Sequence, residues 1–339
     1  MRRHTLMRVL GGILAVLVLA CAGLFYYVYK IVGDRHVEYS SEENQAIVSS
    51  ISEEAKSKSG GVKNFAVFGV DTRGTTYENT RSDVVMIVSV DEANGKMTLT
   101  SVPRDCYVEI PGHGLDKMTH AYAYGGAALA IQTLNRNFDL NITEYVTMNF
   151  WAVESIIDSI GGVEVNVKDY EVKELNGIME ELNEKAPSSS AQSVAGISGA
   201  GQQTLNGRQA VAYMRIRMVG NGDYERMERQ RTVMAQAFTE VKALGVTKLA
   251  GVAEKCLPNV QTSLSFTEIL SMGKSALAGM KNIEQSQLPL TNDGSGKMIN
   301  KVWYFVPKDL TGSVEKWHSE IYGTPYTASK TVKNIASQY

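Results

Sequence analysis

The chain has 339 residues, 44% hydrophobic and 21% charged, and its formal net charge is −2. That composition is globular rather than disordered, and the length accommodates one large domain or two ordinary ones. A near-neutral balance excludes a general nucleic-acid binder, whose footprint is a strongly basic domain, so any basic site must be local.

The first eight residues, MRRHTLMR, carry Arg2, Arg3 and Arg8, and residues 9–29 then run for 21 positions without a charge. Such a run is long enough to cross a bilayer as a helix. Arginines ahead of it place the amino terminus in the cytoplasm and the chain beyond about residue 31 outside. A cleaved signal peptide has a shorter apolar core, roughly 7–15 residues. Cys21 in VLAC has the look of a lipoprotein signal, but the apolar run continues past it through AGLFYYVY. The expectation is a cytoplasmic tail at 1–8 and an uncleaved anchor in the lipid bilayer at 9–32. Residues 33–62, rich in Ser, Glu and Lys, read as an extracytoplasmic stalk with one helix. A folded domain follows at 63–308 and a polar tail at 309–339.

Within the domain, runs at 64–70, 83–90, 96–102 and 106–110 have strand character. Residues 125–138 and 151–161 are helical, with strands at 145–150 and 163–167. Residues 183–203 are small and polar and read as a long loop. VAYMRIR at 211–217 reads as a strand, 225–244 as an amphipathic helix and 301–307 as a late strand. Met227, Met234, Phe238 and Val241 form that helix's core-facing stripe. The interleaving predicts an α/β fold: a single mixed-sheet α-β-α domain with flanking helices, preceded by one transmembrane helix. Outside the anchor lie Cys106 and Cys256; an oxidising compartment permits one disulfide between them, and two separate buried thiols are the alternative.

The charged residues converge through the topology. Asn94-Gly95 between two strand runs is a strong hairpin signal, so 83–90 and 96–102 should be antiparallel. This brings Arg104 and Asp105 close to Arg81 and Asp83, and pairing with the first strand adds Asp71 and Arg73 to the same edge. Any one exposed ion pair is commonplace. Three carboxylates among three arginines instead suit a hard cation bridging to phosphate, because Mg²⁺ takes one or two carboxylates and fills its shell with water and phosphate oxygens.

Residues 214–231, MRIRMVGNGDYERMERQR, add five arginines and no lysine. On a strand, Arg215 and Arg217 would share a face. Asp223 reads as the N-cap of the next helix, whose first turns carry Arg226, Arg229 and Gln230 on one side. A helix start with guanidiniums nearby is an anion site, and their planar fork matches phosphate oxygens bidentately. Arg231 reads as solvated, neutralised by Glu225 and Glu228, and Arg229 is left open. Gly273-Lys274-Ser275 lacks the glycine-rich turn of a P-loop, and Ser198 misses the nucleophile-elbow spacing. The five histidines show no metal-ligand spacing, which argues against a zinc hydrolase. His113 and His120 fit either the rim of the site or satisfied structural histidines, with the structural reading preferred.

Taken in order, GVDTRG, TRSDVVMI, SVPRDCYVEIPGHG, DKMTHAYAYGG, IIDSIGGVEV, GQQTLNGRQAVAYMRIR and GDYERMERQR resemble the motifs of the LytR-CpsA-Psr family of bacterial cell-envelope proteins, over residues 64–243. The resemblance implies a phosphotransferase outside the membrane. Its donor would be a glycopolymer linked by pyrophosphate to a polyprenyl lipid, and its acceptor peptidoglycan; nucleic acid is not a partner. It also implies Mg²⁺, with Mn²⁺ as a substitute, on Asp71 and Asp83. Arg81, Arg104, Arg215, Arg217 and Arg226 would grip the pyrophosphate beside Gln230, with Arg73 and Lys117 in support. Asp71, Arg81 and Arg104 would be the catalytic set, Asp71 as the candidate to take the attacking hydroxyl's proton. Apolar residues of the strands and of helices 125–138 and 151–160 would line a lipid pocket. Asn149 and Cys106 depart from residues frequent in the family. The same residues would equally serve a pyrophosphatase acting on the same donor, or a non-catalytic lipid-phosphate binder.

Overall fold

A computed structural model of the chain describes residues 36–58, 60–72, 77, 79–186, 192–244, 252, 260–265, 267–269, 271, 281–290 and 293–339. The expected tail and anchor, Arg73, and the partner cysteine Cys256 lie outside these. Among the described residues, no helix is long and apolar enough to cross a membrane, and Cys106 is a buried free thiol.

Strand β1 (Val62–Val70) is the middle of the fold, and its alternation explains why. Ala66, Phe68 and Val70 face one apolar core while Phe65 and Val67 face another. Side chains of a strand point alternately to opposite faces, so a run apolar at every position needs cover on both. On one side β1 pairs antiparallel with β2 (Ser82–Asp91), which turns at Asn94-Gly95 into β3 (Lys96–Ser101). On the other it pairs parallel with β6 (Glu144–Asn149). With β9 (Val260–Thr262) and β10 (Asn282–Gln287), the six-stranded mixed sheet has the order β10-β3-β2-β1-β6-β9. Two short ribbons stand apart from it: β4 (Tyr107–Ile110) with β5 (Gly114–Lys117), and β11 (Gly294–Ile299) with β12 (Val302–Pro307). The late strand predicted at 301–307 therefore exists but does not join the main sheet.

The first core is roofed by helix α3 (Met118–Phe138), through Ile131, Leu134 and Phe138. The opposite sheet face is covered by α7 (Asp223–Leu244), through Met234, Ala235 and Phe238. A second lobe of the core gathers α4 (Phe150–Ile160), α5 (Val172–Lys185), α6 (Gly207–Arg215) and the ribbon β7 (Val163–Val167) with β8 (Gly201–Leu205). Asn149 caps α4, its side chain accepting from the Ala152 N–H at 2.9 Å. The faces of α3 and α4 expected to line a lipid pocket are packed into these cores.

Three expectations are corrected. VAYMRIR is not a strand, because most of it belongs to α6: Asn206 and Gln209 form a reciprocal capping box, and Ala210 through Met214 are buried. The part of the expected stalk described by the structure, from residue 36 on, is not free of the domain. Helix α1 (Ser41–Ser50), followed by the short α2 (Glu53–Lys58), buries Ile47 completely in the first core, and the Asn135 amide donates to Ser50 Oγ at 3.1 Å. Nor is 309–339 a polar tail. Helices α8 (Leu310–Tyr322) and α9 (Lys330–Ala336) pack into the same core, with Leu310, Val314, Trp317 and Ile321 on one face at helical spacing. Trp317 is fully buried, and its Nε1–H donates to Thr100 Oγ1 at 3.1 Å.

The C-terminal helices are thus integral to the domain. Trp317→Ala is expected to cost about 3–5 kcal/mol, the range for emptying a large aromatic site. Urea unfolding followed by circular dichroism measures it; an unchanged midpoint would show that these helices are accessory.

Candidate active site

The site is built where β1 and β2 end together. Val70 pairs with Ser82 after a bulge at Gly69/Val70. Asp71 and Arg81, the next residues outward, are exposed at this end of the sheet. One residue inward, Asp83 accepts a hydrogen bond on Oδ1 from Arg104 Nη1 at 2.7 Å. The hairpin return predicted from Asn94-Gly95 therefore delivers Arg104 to Asp83.

Arg226 enters from the first turn of α7. Its Nη2 donates to the main-chain carbonyl of Asp83 at 2.6 Å and its Nη1 to Asp223 Oδ1 at 3.1 Å. Asp223 is the first residue of that helix and acts as a partner of Arg226 rather than as the cap foreseen for it. Arg226 is buried; loss of hydration lowers its pKa, and the neighbouring charges of Arg104 and Arg217 push the same way against Asp83 and Asp223. Burial also weighs against the charged form of Arg104, but Asp83 and Asp105 outweigh it and raise its pKa.

Between these groups lies a cleft lined by Asp83, Arg104, Asp105, Asp223, Arg226 and Gln230, with Val85, Val102, Met227, Tyr224, Trp303 and Phe305 as its less polar walls. Gln230 is buried, its amide 3.4 Å from the Met214 carbonyl. Asp105 receives Lys117 Nζ at 2.7 Å, and lies 3.4 Å from Arg104 Nε. That Nε–H is buried and makes no hydrogen bond. Trp303 and Phe305 were missed at the sequence level. Their signal was strand alternation at 303 and 305, which sends both to one side.

The remaining arginines separate. Arg217 is exposed, its backbone N–H bonded to Glu174 at 2.9 Å, and its charge is felt by Arg226. Arg215 ends α6, with its guanidinium 5.0 Å from the Phe150 ring centroid and Nη2 3.5 Å from Glu181. Arg215 and Arg217 therefore share no strand face, and Arg215 is engaged away from the cleft walls. Arg229 is 3% exposed and donates to Glu171, Glu225 and the Ile216 carbonyl at 2.7, 2.6 and 3.0 Å. It is an internal brace. Arg231 is half-buried rather than fully solvated: Nε reaches Gln285 at 3.3 Å, Nη1 is buried without a hydrogen-bond partner, and burial lowers its pKa.

Among the described residues no group of three or more His, Cys, Asp or Glu could enclose a metal. Magnesium needs fewer, since one or two carboxylates with water and phosphate oxygens complete its shell. Asp71, exposed, and Asp83, which commits Oδ1 to Arg104, fit that pattern at the sheet end.

A family model described as LytR_cpsA_psr matches residues 24–317. The chain belongs to the LytR-CpsA-Psr family. The match runs into α8, in agreement with its burial in the core. Within the family, the chain is 31% identical to the polyisoprenyl-teichoic acid–peptidoglycan teichoic acid transferase TagU of Oceanobacillus iheyensis, over 93% of this chain and 92% of that protein. Its fold is similar to that of TagT bound to LI-WTA, with a TM-score of 0.63 and 26% identity over 78% of this chain and 90% of the other. It is also similar to the LytR-CPS2A-psr protein YwtF (TagT) with bound octaprenyl pyrophosphate lipid, with a TM-score of 0.59 and 25% identity over 80% and 93% of the two chains.

The division among the arginines is testable by stability alone. Arg229→Ala strands the buried Glu171 carboxylate and is expected to cost about 3–5 kcal/mol. Arg217→Ala, at an exposed position, should stay within about 0.5 kcal/mol. Equal urea midpoints for the two variants would contradict this assignment.

Proposed function

We propose that the protein is a membrane-anchored, extracytoplasmic phosphotransferase that attaches a polyprenyl-pyrophosphate-linked glycopolymer to peptidoglycan and releases polyprenyl phosphate. The observation that carries this reading is the placement of Arg104 and Arg226 on one residue, Asp83, in a partly apolar cleft, with a buried Arg104 N–H that makes no hydrogen bond. Two guanidiniums held together at a cost in repulsion and hydration gain from an anion that each can bind bidentately. Names of relatives support the substrate class: one is a teichoic acid transferase and another is a structure with bound octaprenyl pyrophosphate.

Phosphoryl transfer needs in-line positioning and neutralisation of developing charge more than covalent help from protein groups. Arg104 and Arg226 hold the pyrophosphate, while Arg81 and Arg217 add positive charge at the mouth. Lys117 supports this set indirectly, by holding Asp105 beside Arg104. Trp303, Phe305 and Met227 keep bulk water from the reacting phosphate, which strengthens each charge interaction there. Asp71 and Asp83 would hold Mg²⁺ or Mn²⁺, which when bound supplies further neutralisation at the phosphate oxygens. Arg215 has no part in this scheme.

With a labelled lipid-linked donor and purified peptidoglycan, the wild type should yield wall-linked product. Arg104→Ala and Asp83→Ala should each lower the rate by about 10²–10³-fold, the usual loss of one pre-set charge-stabilising group. Chelation should stop the reaction and Mg²⁺ restore it. Free sugar phosphate without wall-linked product would make the protein a pyrophosphatase instead.

The topology is tested separately. A reporter that works only outside the cytoplasm, fused after residue 40, should be active. Activity of a cytoplasm-only reporter at the same position would overturn the anchored, external arrangement.

A further inference from the structure

Beside the cleft, where β5 leads into α3, three side chains and one main-chain N–H converge on Asp116. Its Oδ2 takes His120 Nδ1 and the Tyr124 hydroxyl, both at 2.8 Å, and its Oδ1 takes the Lys117 N–H at 2.8 Å and the Tyr304 hydroxyl at 3.4 Å. Partial burial alone would raise the Asp116 pKa, but the bonds from His120, Lys117 and Tyr124 overcome this and lower it. A carboxylate only accepts, so Nδ1 is the donor in the His120 contact. The Tyr124 ring is fixed at its hydroxyl yet remains 48% exposed, and His113 stacks on it at 4.5 Å and 19°.

The backbone is shaped to present that ring. Immediately after Tyr124, α3 breaks its helical geometry at Gly125 and Gly126, the second with φ of +61°. A Cβ at Gly125 would lie 2.7 Å from Leu129. A group arranged only for stability would bury its rings; this one fixes them and leaves them open. It also adjoins the cleft: the Thr119 N–H donates to the Arg104 carbonyl at 2.9 Å, and Lys117 holds Asp105.

We propose that Tyr124 and His113, set around Asp116 and His120, form the seat of the acceptor glycan of peptidoglycan. This rests on the transferase reading above. A pyranose ring offers C–H bonds on its face and hydroxyls at its edge, which suits an exposed aromatic ring bordered by a carboxylate and an imidazole. The local chemistry selects the acceptor over the donor. The arginines of the cleft attract the anionic pyrophosphate, whereas at the seat, which the charge of Arg81 also reaches, Asp116 sets a carboxylate that repels it. His120 keeps Nε2 outside its contact with Asp116, a ring nitrogen able to meet a hydroxyl of the glycan.

The full chain in detergent, titrated with an alternating N-acetylglucosamine–N-acetylmuramic acid fragment, should bind it saturably. Tyr124→Ala and His113→Ala should each weaken that binding by about tenfold, one aromatic contact's worth. Tyr124→Phe should retain more of it than Tyr124→Ala. Tyr170→Ala, at an exposed tyrosine elsewhere, should leave it unchanged. Binding of a polyprenyl pyrophosphate should be the same in Tyr124→Ala as in the wild type. No saturable glycan binding by the wild type, or equal binding by wild type and Tyr124→Ala, overturns the proposal. The titration needs no turnover, so failure of the transferase reading shows separately, as donor hydrolysis without wall-linked product.

Discussion

Asp83 holds two arginines by two different groups. Its carboxylate takes Arg104, which arrives on the segment after β3, and its main-chain carbonyl takes Arg226, which arrives from α7. These elements are distant in sequence and pack on different parts of the fold, so the shape of the cleft depends on one residue near the start of β2. The arrangement also brings like charges together. Without the carboxylates of Asp83 and Asp223 between them, the two guanidiniums would repel across a poorly hydrated space, and only the main-chain carbonyl at position 83 would still hold Arg226.

The brace behind Arg226 has the same character. Three residues on, Arg229 is enclosed by Glu171 and Glu225 and reaches the Ile216 carbonyl. It links α7 to the second lobe of the core while Arg226 links it to the sheet. The two arginines lie almost one helical turn apart, so seating Arg229 sets the axial position at which Arg226 meets Asp83. One arginine-rich stretch therefore contains residues with opposite purposes, one group facing the cleft or its mouth and the other locked inside.

Much of the site was legible because its signals are local. Asn94-Gly95 dictated the hairpin, and the hairpin placed Arg104 against Asp83. The central strands were readable from continuous apolar runs, which only a sheet covered on both faces explains. The errors arose where two local signals competed. VAYMRIR alternates well enough for a strand, but Asn206 and Gln209 just ahead of it close a capping box, and the helix they start runs through Arg215. The segment after 309 looked polar by composition, although Leu310, Val314, Trp317 and Ile321 repeat at helical spacing. The role of Arg229 was not legible, because its partners Glu171 and Ile216 come from elements whose approach no local pattern encodes.

Strand β12 touches both halves of the surface. Trp303 and Phe305 line the cleft, while Tyr304 between them turns the other way and reaches Asp116. The separation between the two places is thus set by the rise of a single extended chain rather than by any side chain. Of the two cleft residues, Phe305 is buried in the first core while Trp303 is 44% exposed, so the cleft wall can change at 303 while Phe305 and Tyr304 keep their places. The spacing between the two would stay fixed, as a property of the backbone that descendants of this chain inherit together.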